Sequence, residues 1–359
     1  MSYPSISRRA LFPLAASVGL TLFARRAHAD VPEPETPSAP EPPTSAPVSQ
    51  ATNPSGGNAK VTSRVTRVSA DERGVTVFLE LEHAPFPAAG SWHRDPTVLV
   101  FVPRHHRPAS GGTHFVVHFH GHNSSVERAT VAHQLREQLY DSKQNAILVV
   151  PELAVMTPDS AAGKLELPGA FTRMLDDVLT TLATREARNA LGASAPGAFA
   201  QTGRVCISAH SGGYHAAACA IRNGGAPSVH EVYLFDALYA DTDVFRDWVI
   251  AGRGRPMASR HKLVSYYTAG STEANTRRLF SDLEQRDVRV AREEVEGLLS
   301  REELIHAEAV SIRTQLAHGT VTSELNSLRD CLYASALRRR LRTSWFDAKQ
   351  GARPLERRR

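Results

Sequence analysis

Residues 204–220 read RVCISAHSGGYHAAACA, and this stretch decides the fold. Val205-Cys206-Ile207 is apolar and β-branched, the composition of a buried strand. From Tyr214 onward the run is rich in alanine, the strongest helix former. Between them, Ser208-Ala209-His210-Ser211-Gly212-Gly213 offers small residues where the chain must turn sharply from strand into helix. Ala209 and Gly213 stand two positions either side of Ser211 and meet the steric demand of a G-x-S-x-G turn, with Ala in the place where Gly is commonest. At such a turn the serine hydroxyl is presented outward, toward the positive end of the following helix. A Ser-Gly-Gly turn can also do no more than cap a helix, so the flanking chain has to discriminate.

The flanking chain alternates strands with helices. HFVVHFHGH (114–122) and AILVVPEL (146–153) are apolar at consecutive positions, as strands buried on both faces are. EVYLFDALYA, KLVSYYTAGS and AVSIRTQLAHGTV supply further strands after residue 230. Helical patterns cover 126–139, AFTRMLDDVLTTLATREAR (170–188), 273–285 and 322–341. TSRVTRVS, GVTVFLELEH and PTVLVFVP alternate apolar and polar residues, as half-buried antiparallel strands do. The expectation is an α/β fold: a mostly parallel central sheet with helices on both faces and antiparallel N-terminal edge strands. Stretches 252–262 and 286–303 read as surface loops or insertions. One domain, 61–345, holds the whole pattern, without internal repeats.

This strand–turn–helix unit and its surroundings resemble the α/β-hydrolase family over about residues 95–335. That family carries Ser, acid and His in that chain order on a mostly parallel sheet. The resemblance implies Ser211 as nucleophile and His318, after the strand VSIRTQL, as general base; His306 is the weaker alternative. It implies an acid after a strand. Asp236 ends VYLF, as in the lipase-like branch; Glu273 follows YYTAGS, the commoner place; Asp241 and Asp243 lie nearby. Asp236 is favoured because a carboxylate at the end of an apolar strand needs a partner to offset its desolvation. His120-Gly121-His122 resembles the family's His-Gly-x segment, which implies an oxyanion hole from the backbone N–H groups of His122 and Gly212. The implied activity is cleavage of a carboxylic ester or amide through an acyl-enzyme, with no cofactor and no metal.

Two rival readings stand beside it. His118, His120 and His122 fall at period two and would share a strand face, which would suit a metal-dependent hydrolase. Asn123 and Ser124, however, stand where the H-x-H-x-D-H pattern of metallo-β-lactamase-like hydrolases needs Asp and His. The other rival is a catalytically silent α/β-hydrolase-fold protein that binds a component of the cell envelope.

The ends carry a different message. Ser7-Arg8-Arg9, the apolar run Ala10–Ala24 and Ala27-His28-Ala29 resemble a twin-arginine export signal at 1–29, implying a periplasmic or secreted protein. The apolar run is shorter than the roughly 20 residues a spanning helix requires, so no transmembrane segment is expected in the mature chain. Residues 30–60 form a Pro-rich linker too poor in apolar residues to fold, and 346–359 is a basic tail. Part of the basicity behind the net charge of +5 lies at the two ends, in Arg8, Arg9, Arg25 and Arg26 and in Arg353, Arg357, Arg358 and Arg359. No basic stripe with stacking aromatics suggests nucleic acid. Cys206, Cys219 and Cys331 match no zinc spacing and read as buried side chains, with one disulfide allowed in an oxidising compartment. Aromatic content of 7% and the lack of an apolar lid disfavour bulk lipid. The expected substrate is a small-molecule or envelope-derived ester or amide, its pocket shaped by loops at 152–170 and 240–262.

Overall fold

The structure, a computed structural model, describes residues 61–155, 161–225 and 227–340. The expected export signal (1–29), linker (30–60) and basic tail (346–359) lie outside the described residues. Among the described residues, ten strands form one sheet: β1 (Arg64–Ala70), β2 (Gly74–Glu80), β3 (Thr97–Pro103), β4 (Thr113–Phe119), β5 (Ala146–Pro151), β6 (Thr202–His210), β7 (Val229–Phe235), β8 (Lys262–Tyr267), β9 (Val290–Glu293) and β10 (Ala309–Arg313). Their order is β1-β2-β3-β5-β4-β6-β7-β8-β10-β9. The pairs from β1 to β5 through β2 and β3 are antiparallel. All the remaining pairs are parallel. This is the α/β arrangement expected from the sequence, antiparallel edge included.

The apolar runs sort by parity, because successive strand side chains point to opposite faces. Phe115, Val117 and Phe119 of β4, Ile147 and Val149 of β5, and Val205, Ile207 and Ala209 of β6 enter one core. Their neighbours Val116, Leu148, Val150 and Cys206 enter a second core on the other face. The helix Ala170–Leu182 packs into the first core through Phe171, Met174, Leu175, Val178, Leu179 and Leu182, an i, i+3, i+4 stripe. Burying each such side chain contributes about 1.5–3 kcal/mol. The helices Leu135–Ser142 and Ser327–Tyr333 cover the second core with Leu135, Leu139, Leu328 and Leu332. Cys206, Cys219 and Cys331 are all buried and unpaired with one another.

Five expectations change. The helix expected over 126–139 is two, Val126–Ala132 and Leu135–Ser142, broken where Gln134 adopts a left-handed conformation (φ 48°). The helix expected over 170–188 breaks at Thr184, whose side chain caps a second helix, Arg185–Leu191. The stretch 286–303, expected as loop, contains β9, which pairs in parallel with β10 as an edge strand, and the start of the helix Arg301–His306 with a Ser300/Glu303 capping box. Residues 242–252, expected within a loop, form a helix that buries Phe245, Trp248 and Val249. The terminal helix is shorter than expected, Ser327–Tyr333. Among the described residues, no helix is long and apolar enough to cross a membrane.

Because β4, β6, β7, β8 and β10 run parallel, the residues that follow them gather at one edge of the sheet, where open α/β sheets place their ligands. Gly121, Ser211, Asp236 and His318 all follow the C-terminal ends of these strands.

Candidate active site

β6 lies between β4 and β7, and its last six residues are buried. It ends at His210 in extended geometry, and the next residue, Ser211, takes φ +52°. A left-handed backbone costs a non-glycine residue about 1–2 kcal/mol. That strain is held in place by close packing. A Cβ on Gly213 would run into the carbonyl oxygen of Phe119, and one on Gly121 would come within 2.7 Å of the Ser211 Cβ. The turn is therefore wedged against the end of β4, and only glycine fits at both positions. The small residues around Ser211 have their physical cause in this contact.

Asp236 follows β7 and also has a positive φ, +46°. It is 2% exposed and saturated with donors. Oδ1 accepts from the Thr268 N–H at 3.1 Å and from the Thr272 hydroxyl. Oδ2 accepts from the Thr268 hydroxyl at 2.8 Å, and His318 Nδ1 lies 2.7 Å from it. Burial alone would raise this carboxyl; the hydrogen bonds from His318, Thr272 and Thr268 outweigh it and hold the group well below the usual carboxylate range. An ionised carboxylate only accepts, so His318 donates from Nδ1–H. That leaves Nε2 as the basic nitrogen.

The His318 loop is fastened to the sheet. Thr314 N–H donates to Tyr267 O at 3.0 Å, and the Thr314 hydroxyl donates to Glu296 at 2.6 Å. Leu316 N–H donates to Thr314 Oγ1 at 3.1 Å. On its other side, the His318 ring packs on that of His210, with centroids 4.7 Å apart. His210 immediately precedes Ser211, so His318 and the turn that carries the serine touch through this residue. His210 Nε2 lies 2.8 Å from the His318 carbonyl and must donate to it.

Gly212 and His122 line one small cleft with His120, Gly121, Leu153, Ala154 and Ala161. The two residues expected as oxyanion donors thus border the same cleft. From the 152–170 segment Leu153, Ala154 and Ala161 border this cleft; its lining includes no residue of 240–262. His120 is 1% exposed. Its Nε2 accepts from the Leu153 N–H at 3.0 Å, and its Nδ1 donates to the Gly121 carbonyl at 3.0 Å, so the ring braces the loop. A larger cleft of about 400 Å³ lies between the helices Thr242–Gly252 and Ser271–Gln285 and includes none of these groups.

The other candidates are placed elsewhere. Glu273 sits in the first turn of the helix Ser271–Gln285 and pairs with Arg277 at 2.9 Å. Asp241 binds His215 and Arg222, each at 2.7 Å. Asp243 lies in the first turn of the helix Thr242–Gly252. His306 ends the helix Arg301–His306, where its carbonyl accepts from Arg260. The period-two histidines do not share a ligand site. His118 binds Ser208 and His133, His120 binds backbone, and His122 is exposed. Among the described residues, no group of three or more His, Cys, Asp or Glu side chains could hold a metal ion.

Sequence reasoning missed Thr268, Thr272, His133 and His210. The first two follow β8 and carry no motif. His210 adjoins Ser211, and its place in a strand, two residues from Ser208 on the same face, was the available signal.

No family model and no curated protein matches this chain. Among solved structures, it is similar to an S-formylglutathione hydrolase from Agrobacterium tumefaciens, at 11% identity and a TM-score of 0.41, over 74% of this chain and 96% of that one. It is similar to the feruloyl esterase module from Clostridium thermocellum at 11% identity and a TM-score of 0.43, over 78% and 96% of the two chains. It is also similar to a thermophilic carboxylesterase cloned from a metagenomic library, at 14% identity and a TM-score of 0.39, over 67% and 85%.

Proposed function

We propose that this chain is an exported serine hydrolase that cleaves a small carboxylic ester or amide through Ser211, His318 and Asp236. The observation that carries the reading is the placement of His318: one ring nitrogen bound to a buried carboxylate, and the ring packed on the residue adjoining a serine with left-handed backbone geometry.

The chemistry follows from the parts. Asp236 fixes the His318 tautomer with Nε2 unprotonated. Nε2 takes the Ser211 proton as Oγ attacks the substrate carbonyl, and the C–O bond to serine forms. The negative charge that develops on the carbonyl oxygen is met by the Gly212 and His122 N–H groups; losing one such donor costs on the order of 3 kcal/mol in the barrier. His318 then protonates the departing alcohol or amine, leaving an acyl-serine. Water, deprotonated by the same imidazole, attacks the acyl group and restores Ser211. Asp236 stays ionised throughout and stabilises the imidazolium. None of these steps draws on a metal or cofactor. The twin-arginine-like N terminus supports export, and the single pattern over 61–345 supports one catalytic domain.

A fluorophosphonate probe, which phosphonylates only an activated serine, tests this reading. Labelling should map to Ser211. Ser211→Ala should abolish both labelling and turnover of p-nitrophenyl acetate while leaving the melting transition in place. An unlabelled, inert protein would instead favour the silent binding role. Turnover that persists in Ser211→Ala and is lost to a chelator would favour a metal-dependent hydrolase.

A further inference from the structure

Behind His318 the structure contains a column of imidazoles. His318 packs on His210 (centroids 4.7 Å apart), His210 on His133 (4.5 Å) and His133 on His118 (5.2 Å). Polar contacts join the inner members: His133 Nδ1 lies 3.2 Å from His118 Nε2, and His118 Nδ1 lies 2.5 Å from Ser208 Oγ. Ser208 and His210 are two residues apart on β6, on the same face. Behind His318, the column therefore begins and ends on the strand that leads into Ser211. His118, His133 and His210 are 0%, 5% and 8% exposed, so the column is shielded from water except at His318.

Resting on the reading of Ser211 and His318 as nucleophile and base, we propose that His210 is a positioning residue for the general base. Its ring sets the plane of the His318 imidazole, its Nε2–H fixes the His318 carbonyl, and its backbone is continuous with Ser211. One side chain thereby ties the loop that carries the base to the strand that carries the nucleophile. His133, the C-cap of the helix Val126–Ala132, positions His210 in turn.

Three features support the assignment. The His318 ring is 44% exposed and Asp236 holds it at a single atom, so the carboxylate alone leaves the ring free to swing about that bond. The His210 contact supplies the second constraint. Burial lowers His210 to about 4 and His133 to about 3, with neighbouring histidines adding to the effect, so both stay neutral where a serine hydrolase works. A neutral ring against His318 adds no like charge when His318 becomes an imidazolium. The geometry also selects the Nε2–H tautomer of His210, because a carbonyl can only accept.

The test compares His210→Phe, which keeps a ring but loses the donor, with His210→Gln, which loses the ring but can donate to the same carbonyl. kcat and KM are measured with p-nitrophenyl acetate, next to Ser211→Ala. His210→Phe should lower kcat on the order of tenfold to a hundredfold with KM within about twofold of the parent, the range expected for a misplaced catalytic group. The rate of fluorophosphonate labelling should fall in parallel, and His210→Gln should recover part of the loss. A His210→Phe enzyme with parental kcat, beside an inactive Ser211→Ala, would overturn the positioning role alone. Turnover surviving in Ser211→Ala would overturn the serine-hydrolase reading and this proposal with it. If both His210 variants fail to melt cooperatively, ring-nitrogen NMR of the parent decides. His210 should be a neutral Nε2–H tautomer between pH 6 and 8, and an Nδ1–H or charged ring would overturn the assignment.

Discussion

His318 Nδ1 lies 2.7 Å from Asp236 Oδ2, across a separation of 82 residues in sequence. The contact exists because β7 and β10, flanking β8, run parallel and release their next residues at the same edge. Asp236 is committed to it by its own surroundings: both oxygens are fully occupied, and the two threonines that help saturate them follow β8.

Asp236→Asn should therefore leave the fold in place and remove most activity. The amide can donate to His318 Nδ1, which moves the ring proton to Nε2 and leaves no base for Ser211. kcat should fall on the order of 10³–10⁴. Steady-state turnover of p-nitrophenyl acetate checks this, and a loss under tenfold would remove Asp236 from the mechanism.

Glu273→Gln is the matching control. Glu273 pairs with Arg277 on its own helix, an exposed i, i+4 contact worth about 0.3–0.5 kcal/mol. kcat should stay within twofold of the parent and the melting temperature should hardly move. A large loss of kcat would transfer the acid role to Glu273.

These two carboxylates show how far the sequence could be read. Ser211 was legible because an apolar strand, a cluster of small residues and an alanine-rich helix leave the chain one way to turn. The parity of the apolar runs likewise foreshadowed two cores on one sheet. Asp236 and Glu273 could not be separated by pattern alone, because each follows a strand in the right order: Asp236 directly follows β7, whereas Glu273 is carried into the helix after β8, where it pairs with Arg277. The break at His133–Gln134 has no Gly or Pro to announce it, so the His133 ring stayed hidden inside a helical pattern. β9 reads Val-Ala-Arg-Glu, and such a short edge strand with charged residues has the composition of a loop.

Gly121→Ala probes the wedge under the serine. The added methyl meets the Ser211 Cβ at 2.7 Å, so either the turn or the end of β4 must move. Overpacking of this kind costs about 1–3 kcal/mol, and the displaced hydroxyl should lower kcat by about tenfold or more. Thermal melts and turnover measured together check it; an unchanged kcat would mean that the contact does not hold the nucleophile.

Acid should weaken the fold through the buried histidines. His133 and His210 have folded values near 3 and 4, below the about 6.5 of an exposed ring. Below 6.5 the unfolded chain binds more protons than the folded one, so stability is full above about pH 6.5 and falls as pH drops toward 4. Each such ring contributes a slope of up to about 1.4 kcal/mol per pH unit. Asp236, held low, adds stability that is present above about pH 4 and is lost only below it. Melting temperatures from pH 7 to 4 should decline through this window, and His133→Phe should flatten the decline. A flat parental profile down to pH 4.5 would contradict the neutral, buried assignment.

The most direct measurement is a crystal structure of the protein after reaction with a fluorophosphonate. The expected adduct has phosphorus bonded to Ser211 Oγ, a phosphoryl oxygen about 2.7–3.1 Å from the Gly212 and His122 nitrogens, and His318 Nε2 facing the adduct while Nδ1 stays on Asp236. A phosphonate on another residue, or one on Ser211 with its oxygen turned to solvent and His318 swung away, would contradict it.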